Sequence, residues 1–96
     1  MIELYQAEWC PYSSRVRQRL TELGLSFVAR QVPPDSADRD ELRERTGGDE
    51  IPALIDDGEV VAGDADALIA YLDRTYDEPT EAEEHRRQAE LHERAA

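Results

Sequence analysis

The chain has 96 residues, enough for one domain with one modest core, and carries 23 acidic against 11 basic residues for a net charge of −12. That balance speaks against nucleic acid and anionic membranes as partners, because phosphate contacts need a basic patch. No apolar stretch is long enough to span a bilayer, and the single cysteine excludes an internal disulfide.

Every basic residue is Arg; Lys is absent. A disordered acidic chain and a folded protein of a high-salt cytoplasm both fit such acidity. Apolar residues fall in organised clusters, which favours the folded, halophilic reading. A small secreted domain tends to carry several cysteines, so one cysteine with no apolar leader run points to a reducing cytoplasm.

Residues 2–5, IELY, read as a short strand, followed by a loop that ends at Cys10. Pro11 suits the first turn of a helix, where its missing N–H costs nothing. Val16, Leu20 and Leu23 recur at helical spacing, so residues 11–23 are predicted helical, with Gly24 as C-cap. The β-rich run 26–32 is a second strand, ended by Pro33 and Pro34. Residues 36–46 read as a largely solvated helix with Ser36 as a candidate cap, Ala37 and Leu42 as its thin apolar face, and Gly47 as its stop. Two apolar runs flank Asp57-Gly58 and predict a hairpin over 51–63. Asp64 is placed to cap a helix over 64–76, with Leu68, Ile69 and Leu72 as its buried stripe. From Asp77 onward apolar residues nearly vanish, so residues 77–96 are expected to form an acidic, solvated or frayed C-terminal helix beside a domain of residues 1–76. The order β-α-β-α-β-β-α is an α/β layer arrangement, with the first two strands parallel.

A lone cysteine is more often a small buried hydrophobe than a nucleophile. Cys10 stands at a strand-to-helix corner, where unpaired N–H groups and the helix dipole favour a thiolate. Ser13 and Ser14 are placed either to hydrogen-bond that sulfur or to cap the first turn. A thiol at such a corner is expected to be partly exposed and open to exchange.

Tyr12 reads as a lid over the thiol, and Trp9 as a wall of a groove or a cover for the core edge. His85 and His92, seven apart in the acidic tail, are not expected to bind metal.

WCPYS after a short strand, an Arg-rich amphipathic helix and a later Ile51-Pro52 before a hairpin resemble a glutaredoxin. TGGDEIP (46–52) and IDDGEVVAGDADAL (55–68) extend the likeness, and the second is equally similar to the N-terminal domain of glutathione transferases. The resemblance covers residues 1 to about 76. It implies a thioredoxin-like fold, with a four-stranded mixed sheet and helices on both faces.

It also implies a role for single residues. Cys10 would be the nucleophile, and Ser13 would stand where dithiol members carry a second cysteine, making this a monothiol variant. Pro11, Tyr12 and Ser13 would border the bound thiol. Pro52 would be cis, and Ile51 would offer its main chain to the cysteinyl part of the ligand. The start of the last helix, Asp64 and Ala65, would hold an α-carboxylate, and Asp66 would meet the amino group. The chemistry implied is exchange of mixed disulfides between thiolated or oxidised client proteins and glutathione or γ-glutamylcysteine, by a monomer. An iron–sulfur carrier of [2Fe–2S] type is the alternative that Pro11 disfavours, since the best-known carriers have glycine after the cysteine. A transferase-like thiol-peptide binding domain is the other.

The departures concern charge. The family often places a base shortly before the cysteine, where this chain has Gln6, Ala7 and Glu8, and another where Asp49 stands. Arg43 or Arg45 are the candidate substitutes, while Glu8 and Glu50 oppose an anionic ligand. γ-Glutamylcysteine lacks the glycine carboxylate that those bases hold, which suits a halophilic archaeon.

Overall fold

The computed structural model describes residues 1–95. Its elements are β1 (Ile2–Gln6), α1 (Pro11–Glu22), β2 (Phe27–Gln31), a 3-10 turn (Ser36–Asp38), α2 (Asp40–Thr46), β3 (Ala53–Asp56), β4 (Glu59–Val61), α3 (Ala65–Thr75) and α4 (Ala82–Ala95). Ala96 of the expected tail lies outside the described residues. Among them no helix is long and apolar enough to cross a membrane.

The four strands form one mixed sheet in the order β2-β1-β3-β4. β1 is parallel to β2, with Ile2 opposite Phe27, and antiparallel to β3, with Leu4 opposite Leu54. Because side chains alternate across a strand, β1 serves two layers. Ile2 and Leu4 pack with Val16 and Leu20 of α1 and Leu68 and Leu72 of α3. Tyr5 packs on the opposite face with Leu42 of α2 and Ile55 of β3. All five residues of β1 are buried, as a central strand covered on both sides must be. The result is the thioredoxin-like α/β fold, with helices on both faces.

Turn chemistry places the hairpin and the helix ends. Asp57 and Gly58 both have positive φ, 53° and 86°, the requirement of a two-residue turn between β3 and β4. At the end of α1 the N–H of Leu25 donates to the Leu20 carbonyl and that of Gly24 to Thr21. Gly24 therefore stands one residue past the cap position, which Leu23 occupies.

Two local expectations are corrected. The segment 36–46 is broken at Arg39 into a 3-10 turn and α2, and the side chain that caps the turn is Asp35, which accepts from the Ala37 N–H; Ser36 does not cap it. Arg39 is buried instead and donates to the carbonyls of Pro33, Pro34 and Asp49, which pulls the chain out of helical register.

The C-terminal segment is a helix, α4, docked on α1. Ala82 is fully buried, and Arg86 donates to Glu22 of α1 and to Glu78 and Glu83. Arg19 of α1 reaches Asp73 of α3, Glu22 and Glu78. Charged side chains thus join three helices where too few apolar ones are available.

Candidate active site

Cys10 is the N-cap residue of α1. Its N–H donates to the Ala7 carbonyl at 3.1 Å, its carbonyl accepts from Ser14 at 3.1 Å, and its Sγ accepts from the Ser13 N–H at 3.4 Å. The sulfur does the work that a serine or aspartate oxygen does at other helix starts. This contact turns the thiol over the first turn of the helix, and Cys10 is only 6% exposed. The expectation of a partly exposed thiol is corrected by that geometry.

Burial pushes the thiol pKa up. The Ser13 hydroxyl, the N–H groups of Ser13 and Tyr12 and the Arg17 charge outweigh it, and Cys10 titrates below the ordinary cysteine value. The Ser13 hydroxyl is fully buried and has no hydrogen-bond partner among the described residues. It is a donor that a thiolate at Cys10 would recruit. Arg17 is fixed behind the corner by Gln6 Oε1, the Ala7 carbonyl and Glu8, at 3.3 Å in the last two cases. Glu8 is therefore paired, which answers half of the charge problem seen in the sequence.

Beside this corner lies a cleft of about 970 Å³. It brings together Tyr12, Ile51, Pro52, Asp64 and Ala65 from three separate stretches of chain, with Trp9 at its border. Cys10, Pro11 and Ser13 adjoin it through Trp9 and Tyr12 without lining it. The Ile51–Pro52 peptide bond is cis, and Pro52 is buried. Among the described residues the Ile51 main chain makes no hydrogen bond outside the regular elements. Asp64 caps α3 by accepting from the Ala67 N–H at 3.0 Å. Gly63 before it has φ 122°, and a Cβ there would stand 2.4 Å from the Ala67 Cβ, so only glycine fits this corner.

Three charged side chains are engaged elsewhere. Arg45 holds Glu3 through both carboxylate oxygens and donates to the Tyr5 hydroxyl, on the α2 face of the sheet. Arg43 bonds Ser36, Ala37, Asp40 and Asp49. Asp66 pairs with Arg15. Neither Arg43 nor Arg45 lines the cleft, so the expected substitution of a missing base is not realised there. Trp9 is 65% exposed and covers no core edge.

The positioning roles of Arg17 and Arg39 are not evident in the sequence pattern taken alone. Arg17 lies seven residues after Cys10, two helical turns along the same face, and that spacing was the available signal. Arg39 gave none, because its three acceptors are main-chain carbonyls.

The family described as glutathione S-transferase, N-terminal domain, matches residues 4–80. The chain belongs to this family. It is also 31% identical to glutaredoxin 3 of Escherichia coli strain K12 over 62 residues, 65% of this chain and 75% of that one. Among solved structures it resembles a glutathione transferase from Drosophila melanogaster, with TM-score 0.70, 29% identity and coverage of 79% of this chain and 35% of the other. A rice glutathione transferase in complex with glutathione gives TM-score 0.67 and 26% identity, covering 77% of this chain and 32% of that one. The chain thus spans about a third of the length of these transferases, and most of the glutaredoxin.

Proposed function

We propose that this glutaredoxin-like chain is a one-thiol oxidoreductase that exchanges mixed disulfides between proteins and a low-molecular-weight thiol. The observation that carries the reading is the Cys10 sulfur at the N-terminus of α1, with a buried, otherwise unpartnered Ser13 hydroxyl one turn along.

In the first step the Cys10 thiolate attacks the small-thiol sulfur of a protein mixed disulfide. A bond from Cys10 Sγ to the small-thiol sulfur forms, the disulfide bond between that sulfur and the protein's sulfur breaks, and the protein thiolate leaves to take a proton from water. In the second step the thiolate of another small thiol attacks the same sulfur. The small-thiol disulfide leaves and the Cys10 thiolate is restored. The client sulfur is reduced, the one incoming small thiol is oxidised into the small-thiol disulfide, and no internal second thiol is used.

The ligand would lie against Ile51 and Pro52, with its γ-glutamyl α-carboxylate on the first N–H groups of α3 at Asp64 and Ala65. Tyr12 would cover it. Glutathione and γ-glutamylcysteine are both candidates. The acidic wall at Asp49 and Glu50, with no uncommitted base lining the cleft, favours the thiol that lacks the glycine carboxylate. The chain acts as a monomer on thiolated or oxidised clients in a reducing, high-salt cytoplasm, a setting that suits its charge of −12 and lack of lysine.

A second reading, a transferase-type domain that binds a thiol peptide without turning over disulfides, is favoured by the family match over residues 4–80. Turnover separates the two. A protein carrying either thiol as a mixed disulfide should be released by the wild type and not by Cys10→Ala. Mass spectrometry of the chain from its native cells should find one of the two thiols on Cys10. Release by Cys10→Ala at the wild-type rate, or binding of the thiol with no release by the wild type, would overturn the oxidoreductase reading.

A further inference from the structure

We propose that the cleft beside Cys10 docks client segments that carry arginine next to the disulfide-linked cysteine. The inference rests on the oxidoreductase reading and names its preferred partner.

Five large apolar side chains are exposed among the described residues, and three of them, Trp9, Tyr12 and Val60, border this one cleft. Single exposed apolar residues are ordinary; three around a groove that adjoins the only thiol form a contact surface. The charged lining of the groove is Asp49, Glu50, Asp64 and Arg39. Arg39 is buried and held by three main-chain carbonyls, so it faces structure and not a visitor. Asp64 is occupied in capping and Asp49 pairs with Arg43 at 3.4 Å. Glu50 is exposed and has no hydrogen bond or ion pair among the described residues. Glu8, next to Trp9, is already paired with Arg17 at 3.3 Å, so Glu50 is the lining carboxylate left without a partner among the described residues.

A guanidinium suits both halves of this surface. It stacks flat on indole and phenol faces, and its forked donors match a carboxylate. An acidic segment would meet uncompensated Glu50 and a chain of net charge −12. Charge complementarity also steers the approach of a basic segment towards the thiol.

The test uses two synthetic peptides with a central cysteine joined to glutathione, one flanked by arginines and one by glutamates. With the full chain at low salt, kcat/KM should favour the arginine peptide by about fivefold, a scale that one exposed charge contact and one guanidinium stack support. Glu50→Lys should bring that ratio near one or invert it. The emission of Trp9, the single tryptophan, should shift when the arginine peptide is added to Cys10→Ala, which binds without reacting. Equal rates for the two peptides in the wild type, or an undiminished preference in Glu50→Lys, would overturn the docking proposal and leave the oxidoreductase reading standing. Failure of the wild type to release the small thiol from either peptide, prepared with glutathione and again with γ-glutamylcysteine, would overturn both.

Discussion

The main-chain N–H of Ser13 donates to Cys10 Sγ at 3.4 Å, while the Ser13 hydroxyl lies buried beside the same sulfur with nothing else to bond. One residue therefore offers two donors to a thiolate, and only one of them is used by the neutral thiol's cap. Ser13→Ala should raise the Cys10 pKa and slow exchange near neutral pH. Thiolate absorbance against pH measures it. An unchanged titration would mean that the backbone and Arg17 alone hold the thiolate, and a wild-type value at or above about 8.5 would remove the activated thiol altogether.

Ser13 also occupies the place, one helical turn on, where a resolving thiol would stand. Ser13→Cys should form an internal disulfide under mild oxidation, because the backbone already brings position 13 against Sγ. The variant should shed a small thiol from Cys10 quickly and gain reduction of protein disulfides, whereas the wild type should accumulate the mixed disulfide. Thiol counting and mass after oxidation decide it; two free thiols would show that the corner is too rigid to close.

Glu3 sets an acid limit. The Arg45 hydrogen bonds hold its carboxyl down against the upward push of burial, with Arg30 adding to them, and its pKa falls from 4.5 to about 2. A carboxyl depressed in the folded state stabilises fully above its unfolded value. That contribution should fade as pH falls from about 4.5 through about 2. Melting curves across this range should fall more steeply for the wild type than for Glu3→Gln. Parallel curves would assign the acid sensitivity to other groups.

Asp56 ties β3 to α3. The hydroxyls of Tyr71 and Tyr76 both donate to its Oδ2 at 2.7 Å, and these bonds raise both phenols, Tyr76 to about 12. Asp56→Ala leaves two half-buried hydroxyls without their acceptor and should cost about 2 kcal/mol. For a domain of this size that is a fall in Tm of about 10 °C. Asp56→Asn keeps one carbonyl acceptor and should fall between. Thermal or denaturant unfolding reads both, and an unchanged Tm for Asp56→Ala would show that packing alone places α3.

With a net charge of −12, stability should rise as salt goes from low to molar levels, because screening relieves self-repulsion over a length that shrinks from about 10 Å at 0.1 M to about 3 Å at 1 M. The Arg19–Glu22–Glu78–Arg86 network weakens over the same range, so the gain should be smaller than charge alone implies. Arg86→Ala should lower Tm at low salt by more than at high salt. A Tm that is flat or falls with salt in the wild type would remove the halophilic reading.

Local chemistry made most of this molecule legible from its sequence. The Asp57-Gly58 turn, the Asp64 cap, the stop at Gly47 and the Cys10-Pro11 helix start are each specified by neighbouring residues, through φ preferences and short-range hydrogen bonds. The alternation of β1 and the spacing of Val16, Leu20, Leu68 and Leu72 likewise reveal which faces are buried, because periodicity reports burial directly. The tertiary structure alone decided which charges remain free. Arg43 and Arg45 look equally available in the chain, yet Arg43 is tied to Asp40 and to the lining residue Asp49 without itself lining the cleft, and Arg45 is tied to Glu3 on the α2 face of the sheet. Arg39 is drawn inside by carbonyls, and Arg86 turns an apparently solvated tail into a helix docked on α1. Long side chains find partners across tens of residues of sequence, and neither propensity nor periodicity encodes those meetings. The burial of the Cys10 thiol has the same origin: the cap is local, but the cleft beside it is assembled from β1–α1, the loop before β3, β4 and the start of α3.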